Sequence, residues 1–181
     1  MKRWGMLCVG VLLFAGIASA QDVPTFEVFT GYSYVRMSVG IGTGLRTTNF
    51  NGASASVAYN LNNWLGVVGD FGGYTTGNFA GGGLQGSVIT YLFGPKISFR
   101  RDKLTPYVQG LAGGARLFGG GPTINGFAFA GGGGLDWNAT PHFGLRLIEA
   151  DYLMTKLNFG GPSSFNTQHS LRVSTGFTFS F

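Results

Sequence analysis

HSLRVSTGFTFSF, residues 169–181, alternates without a break. Leu171, Val173, Thr175, Phe177, Phe179 and Phe181 fall on one side of an extended chain. Ser170, Arg172, Ser174, Gly176, Thr178 and Ser180 fall on the other. One face is large and apolar, the other small or charged. Such a strand can cover either a soluble core or a lipid-facing wall, and the remainder of the chain separates the two.

Working back from residue 169, segments of about ten residues with the same period of two recur between Gly, Asn, Pro or charged turns, the pattern of a membrane β-barrel. Eight such segments are expected, at 25–36, 50–60, 64–74, 87–99, 105–117, 126–138, 143–155 and 169–181. In the fourth, Ile89, Tyr91, Phe93, Pro95, Ile97 and Phe99 oppose Thr90, Gly94, Lys96 and Ser98. In the sixth, Phe127, Phe129, Leu135 and Trp137 oppose Ala128, Ala130, Gly132, Gly134 and Asp136. The fold class that follows is all-β, an antiparallel up-and-down barrel of eight strands.

Composition decides which face meets what. Only 10% of residues are charged, while 33 are Gly and 15% are aromatic. A soluble barrel puts its bulky residues inward and solvates its outside with Lys and Glu; this chain has too few charges for that. Its small residues suit a narrow lumen, since eight strands leave an interior just wide enough for side chains. The bulky face is therefore assigned to lipid. Tyr59, Trp64, Phe99, Tyr107, Trp137 and Phe143 flank the short connections and are expected to form an interfacial girdle; Tyr74, Phe118 and Tyr152 lie toward the other rim.

Connections near 61–63, 100–104 and 139–142 read as short, and those near 37–49, 75–86, 118–125 and 156–168 as long. In outer-membrane barrels short turns face the periplasm and long loops face outward. Upstream, residues 1–20, MKRWGMLCVGVLLFAGIASA, join Lys2 and Arg3 to an apolar run and to Ala18-Ser19-Ala20, the pattern of a cleaved secretory signal peptide. The barrel domain is then expected to occupy residues 21–181. Cys8 lies in the signal segment, so no disulfide or thiolate site is expected beyond it. Removing Lys2 and Arg3 lowers the formal net charge from +5 to +3, with no basic surface of the kind that binds nucleic acid.

The segment GGGLDWNATPHFGLRLIEADYLMTKLNFG (residues 132–160), the closing HSLRVSTGFTFSF, and the earlier WLGVVGDFGGY (64–74) and YLFGPKISF (91–99) together resemble the OmpA/OmpX-like outer-membrane β-barrel superfamily. The resemblance implies a barrel among outer-membrane lipids. It also implies insertion by the outer-membrane assembly machinery through a terminal strand, whose signal would be Phe177, Phe179 and Phe181. Nothing follows Phe181, so the peptidoglycan-binding domain of larger OmpA-type proteins is not carried over. A monomer is expected.

On the face assigned to the lumen lie Glu27, Asp70, Lys96, Asp136, Glu149, Asp151 and Arg172. Charges in a narrow interior have to pair, because isolated buried charge is costly. The expectation is ion-paired barrel filling, with a gate as the functional alternative and Lys96 bridging the acids. Five acids against two bases leaves an imbalance. Arg146 has the outward parity; a bulge near Leu147 or a one-residue shift of register brings it inside, and otherwise it snorkels to the periplasmic interface. YVQGLAGGAR does not declare which side Gln109 faces.

No catalytic set is expected. His142 falls in a short turn, and His169 and Ser170 point to opposite faces, with Ser163, Ser164 and Asp151 on neighbouring segments. Two histidines so placed lack metal-ligand spacing, and no cofactor is expected. Gly40-Ile41-Gly42-Thr43-Gly44 lacks the strand–helix context of a phosphate loop and reads as loop glycines. Asn138-Ala139-Thr140, followed by Pro141, reads as a turn. The functional expectation is a non-enzymatic integral outer-membrane protein with a structural or surface role. A narrow channel for small solutes is the alternative, and a lipid-modifying barrel enzyme a more distant one.

Overall fold

The period-two pattern becomes eight antiparallel strands in a computed structural model that describes residues 23–41, 44–79, 84–118, 123–158 and 165–181. They are β1 (Phe26–Ile41), β2 (Gly44–Asn60), β3 (Leu65–Phe79), β4 (Leu84–Ser98), β5 (Leu104–Phe118), β6 (Ile124–Asn138), β7 (Phe143–Asn158) and β8 (Phe165–Ser180). Each pairs with its chain neighbours, and β1 also pairs with β8, from Glu27 opposite Ser180 to Ser38 opposite His169. Reciprocal backbone bonds between Phe26 and Phe181, at 3.0 and 2.9 Å, complete the seam. Closure removes the unpaired edges an open sheet would leave.

The strands run further than their apolar alternation indicates. The first, expected over 25–36, continues to Ile41, and the second begins at Gly44 rather than 50. Likewise β3 reaches Phe79, β4 begins at Leu84, β7 reaches Asn158 and β8 begins at Phe165. The physical reason lies in the outward residues at this end, among them Thr47, Asn49, Thr75, Gln85 and Asn125. Beyond the apolar belt the outward face turns polar while the inward face keeps residues such as Phe50 and Leu117, so the ladder continues after the outer face has lost its apolar run. The expected contrast of long and short connections shrinks accordingly. Of the glycine cluster at 40–44, Gly40 pairs with Leu45 and Ile41 with Gly44 as strand rather than loop, and residues 42–43 lie outside the described residues. So do the expected signal peptide, the middles of the other three loops, Ser163 and Ser164.

At the opposite end the turns are tied locally. Asn62 Oδ1 accepts from the backbone N–H groups of Trp64 and Leu65 at 3.0 and 2.8 Å. Asp102 takes φ 44° between the doubly bonded Arg101 and Leu104, a left-handed conformation that Asp tolerates better than most residues. Thr140 Oγ1 accepts from Phe143 N–H at 3.0 Å, so the sequon-like triplet is a turn.

Burial separates the two faces of the wall: Phe93 is 52% exposed while the adjacent Leu92 is 0%. Tyr32, Val57, Val67, Phe71, Ile89, Val108, Phe127, Leu171 and Phe177 are exposed in the same way and form a continuous apolar exterior. Phe26, Tyr59, Trp64, Phe99, Trp137, Phe179 and Phe181 ring it at the turn end, with Phe26 and Tyr59 centroids 5.1 Å apart. Two aromatic assignments change. Tyr107 is not part of the girdle and Tyr74 is not on a rim, because both have inward parity and are buried. Glycine makes room for each: a Cβ at Gly134 would stand 2.6 Å from Tyr107 Oη, and one at Gly72 would collide with the Tyr74 hydroxyl.

Candidate functional site in the barrel lumen

The lumen is organised around one irregularity in β7. Leu135 of β6 faces Ile148, but its neighbour Asp136 faces Arg146, so β7 carries an extra residue at this point. The shift recurs against β8 between Arg146 and Glu149. Leu147 and Ile148 both stay exposed, and Arg146 turns inward to 5% exposure. A bulge of this kind re-aims side chains while the flanking ladder is kept. Here it places a guanidinium where simple alternation would have put it in lipid.

Arg146 Nε donates to Asp136 Oδ1 at 2.8 Å, and its Nη1 to Glu149 Oε2 at 2.5 Å. Its guanidinium lies 4.2 Å from the Phe29 ring centroid and 4.7 Å from that of Tyr107. The Tyr107 hydroxyl donates to the same Glu149 carboxylate. Arg172, fully buried, donates to Asp151 Oδ2 from Nη2 at 2.6 Å and reaches across the barrel to Asp70 Oδ1 at 2.6 Å. It also meets Tyr74 Oη at 3.2 Å and stands 3.5 Å from Glu149 Oε1. Gln109 faces inward as well and donates to Asp151 Oδ1 at 3.3 Å. Nearer the turns, Lys96 Nζ stands 2.9 Å from Glu27 Oε2 and 3.9 Å from Asp136 Oδ2, over the Tyr107 ring at 4.4 Å.

All seven residues singled out in the sequence therefore face the lumen, in two clusters joined through Asp136 and Glu149. Lys96 bridges Glu27 and Asp136 but does not reach Asp70, Glu149 or Asp151 among the contacts of the described residues. Strict parity leaves out two cations. Arg146 comes inside through the bulge near Leu147, as one of its expected alternatives had it. Arg100, from the turn after β4, closes the mouth with Nη2 2.5 Å from Glu27 Oε1. Five acids thus meet four bases rather than two. The network ties β1, β3, β4, β5, β6, β7 and β8 together across the barrel.

Above it, toward the far end, lies a layer that sequence reading did not assign to the lumen. Val35, Met37, Phe50, Val88, Leu92, Leu111, Leu117 and Leu153 pack with Ala115, Ala128 and Ala130 into a buried apolar cluster. The signal was present in parity: Leu92 falls between Thr90 and Gly94, and Phe50 falls in line with Gly52 and Ser54.

No family model matches the chain, and no curated protein does. Solved structures do resemble it. Neisserial surface protein A superposes with a TM-score of 0.68 at 16% identity, covering 89% of this chain and all of that one. OprG of Pseudomonas aeruginosa gives 0.61 at 14% identity, over 90% and 98%. Ail, the attachment invasion locus protein of Yersinia pestis, gives 0.52 at 21%, over 87% and 99%. The fold is that of the small outer-membrane β-barrels. In a transmembrane barrel of this type the apolar exterior faces lipid, and the charged and apolar layers together fill the interior.

Between Glu27, Phe29, Ser56, Lys96, Gln109 and Arg146 remains a cavity with room for about one water. Among the described residues, no cluster of His, Cys, Asp and Glu is arranged to hold a metal. A His–Ser–Asp set does not assemble among them either. His169 faces outward with its Nδ1 bonded to the Tyr152 hydroxyl, whereas Asp151 and Ser170 face the lumen. His142 stays in its exposed turn.

Proposed function

We propose that this chain is an integral outer-membrane barrel with a non-enzymatic, structural or surface role, exported by a signal peptide at residues 1–20. The observation that carries the reading is Arg172, held by Asp70 of β3 and Asp151 of β7 across the full width of the lumen. Its backing by Phe50, Leu92, Leu111 and Leu153 adds a dry layer. An ion crossing this section would have to part a buried guanidinium from two carboxylates and then enter an apolar plug, both costly. With its interior so filled, the barrel offers a partner its rims and its wall. The names of two fold neighbours, a surface protein and an attachment protein, favour the same class of role. Phe177, Phe179 and Phe181, on the outward face of the closing strand, are proposed as the assembly signal.

The test is conductance of the refolded protein in planar lipid bilayers. The proposal expects no reproducible ion steps from wild type, and steps only after both barriers are opened, as in Arg172→Ala/Phe50→Ala/Leu92→Ala. Steady currents through wild type that vanish on lumen substitution would favour the narrow channel instead.

A further inference from the structure

Every acidic residue described in the strands points into the lumen, and the remaining described one, Asp102, sits in the β4–β5 turn. The lipid-facing wall therefore carries no described carboxylate. It does carry cations, all toward the far end: Arg36 on β1, Arg116 on β5 and Lys156 on β7, each exposed.

Two of these belong to one patch across the β7–β8–β1 seam. Lys156 pairs with Thr167, Met154 with His169, and Tyr152 with Leu171. On the other side of β8, His169 pairs with Ser38 and Leu171 with Arg36. Lys156, His169 and Arg36 thus form a diagonal, with successive members about 7–8 Å apart. Because strands of such barrels are tilted by about 45°, a diagonal across them can run level around the barrel. Arg36 lies ten positions above Phe26, and His169 eleven above Ser180. At roughly 3.3 Å per residue and that tilt, both stand about 25 Å above the turn end, which is the height of the apolar belt of an outer-membrane barrel. Below them Tyr32, Tyr152 and Leu171 present exposed apolar surface for acyl chains.

We infer that this patch binds the phosphate of a phosphorylated glycolipid in the outer leaflet. Arg36 and Lys156 take the headgroup, and the aromatic and aliphatic wall beneath takes its chains. The inference rests on the outer-membrane reading above, with the short turns toward the periplasm. Arg suits phosphate because its planar fork donates two parallel bonds, and Lys adds a mobile charge. With no carboxylate among the described residues of the wall to compete, the field over the patch is of one sign.

The experiment uses the refolded full barrel and its Arg36→Ala/Lys156→Ala variant in phosphatidylcholine vesicles doped with fluorescent lipid A, either phosphorylated or dephosphorylated. Energy transfer from Trp64 and Trp137 is not suited to a far-end patch, so a dye on an introduced Ser38→Cys reports proximity. Wild type should enrich phosphorylated lipid A several-fold over the dephosphorylated form, less so at high salt. The variant should lose that preference while keeping its heat-dependent electrophoretic mobility. Equal enrichment of both lipids by wild type, or an unchanged preference in the folded variant, would overturn the inference. Fractionation of cells separates the two levels. A barrel found in the outer membrane without lipid preference overturns the patch alone, whereas a barrel absent from that membrane overturns the outer-membrane reading and the patch with it.

Discussion

Replacing Arg172 by Met removes the one group that holds Asp70 and Asp151 across the lumen. Arg172 is fully buried and reaches these two carboxylates at 2.6 Å each, so Met leaves two buried acids without their strongest partner. Asp151 retains Gln109, at 3.3 Å. Glu149 retains Arg146 and Tyr107. Breaking a buried pair by deleting one partner costs about 3–5 kcal/mol, because the remaining charge stays desolvated. With a urea dependence of about 2 kcal/mol per molar, the unfolding midpoint should fall by about 1.5–2.5 M. The assay is urea unfolding in lipid vesicles, followed by fluorescence of Trp64 and Trp137 and by the mobility of unboiled samples.

The same physics makes the converse prediction that removing the whole cluster hurts less than removing its centre. Arg172→Met combined with Asp70→Leu and Asp151→Leu should recover at least half of the single variant's loss, since apolar side chains then fill space that no longer contains charge. A single variant within about 1 kcal/mol of wild type, or a triple variant less stable than the single, would refute the reasoning.

Three further outcomes follow from the same geometry. Lys96→Met should cost less than Arg172→Met, about 1–3 kcal/mol, because Glu27 keeps Arg100 and Asn60 and Asp136 keeps Arg146; parallel urea titrations compare them. Gly134→Ala should lower stability by about 1–3 kcal/mol, since its Cβ would stand 2.6 Å from Tyr107 Oη and force that ring off Glu149; thermal unfolding of the folded barrel reads the loss. Phe50→Ala should cost about 3–5 kcal/mol by opening a cavity in the apolar layer, read by the urea midpoint.

The strand count, the order and the two faces were legible because lipid on one side and a narrow lumen on the other impose opposite demands at every second residue. Phe93 and Leu92 show where that reading thins: both are apolar, and only continuous parity from Thr90 to Lys96 tells that Leu92 points inward. The lumen's apolar layer was overlooked for that reason. Arg146 was legible only as an alternative. The surplus of lumen acids pointed to a bulge near Leu147, which the structure contains, but since Leu147 and Ile148 are both apolar and outward, nothing in their own chemistry fixes the slip. Arg100 lay beyond any periodic argument, being in a turn whose path brings it over the lumen mouth. The far strand ends at Ile41, Phe79 and Asn158 were invisible because the outer face there has lost its apolar run.

The bulky face of this wall is the one that meets lipid. Single nitroxides at the outward positions Gln85, Ile89, Tyr91, Phe93 and Pro95 of β4, in barrels refolded into vesicles, test it through collisions with oxygen and with a water-soluble nickel chelate. The account predicts that the labels at 89 to 95 collide freely with oxygen and poorly with nickel, while the label at 85 shows the reverse. Strong nickel collisions at 91 and 93 would put that face in water and contradict it.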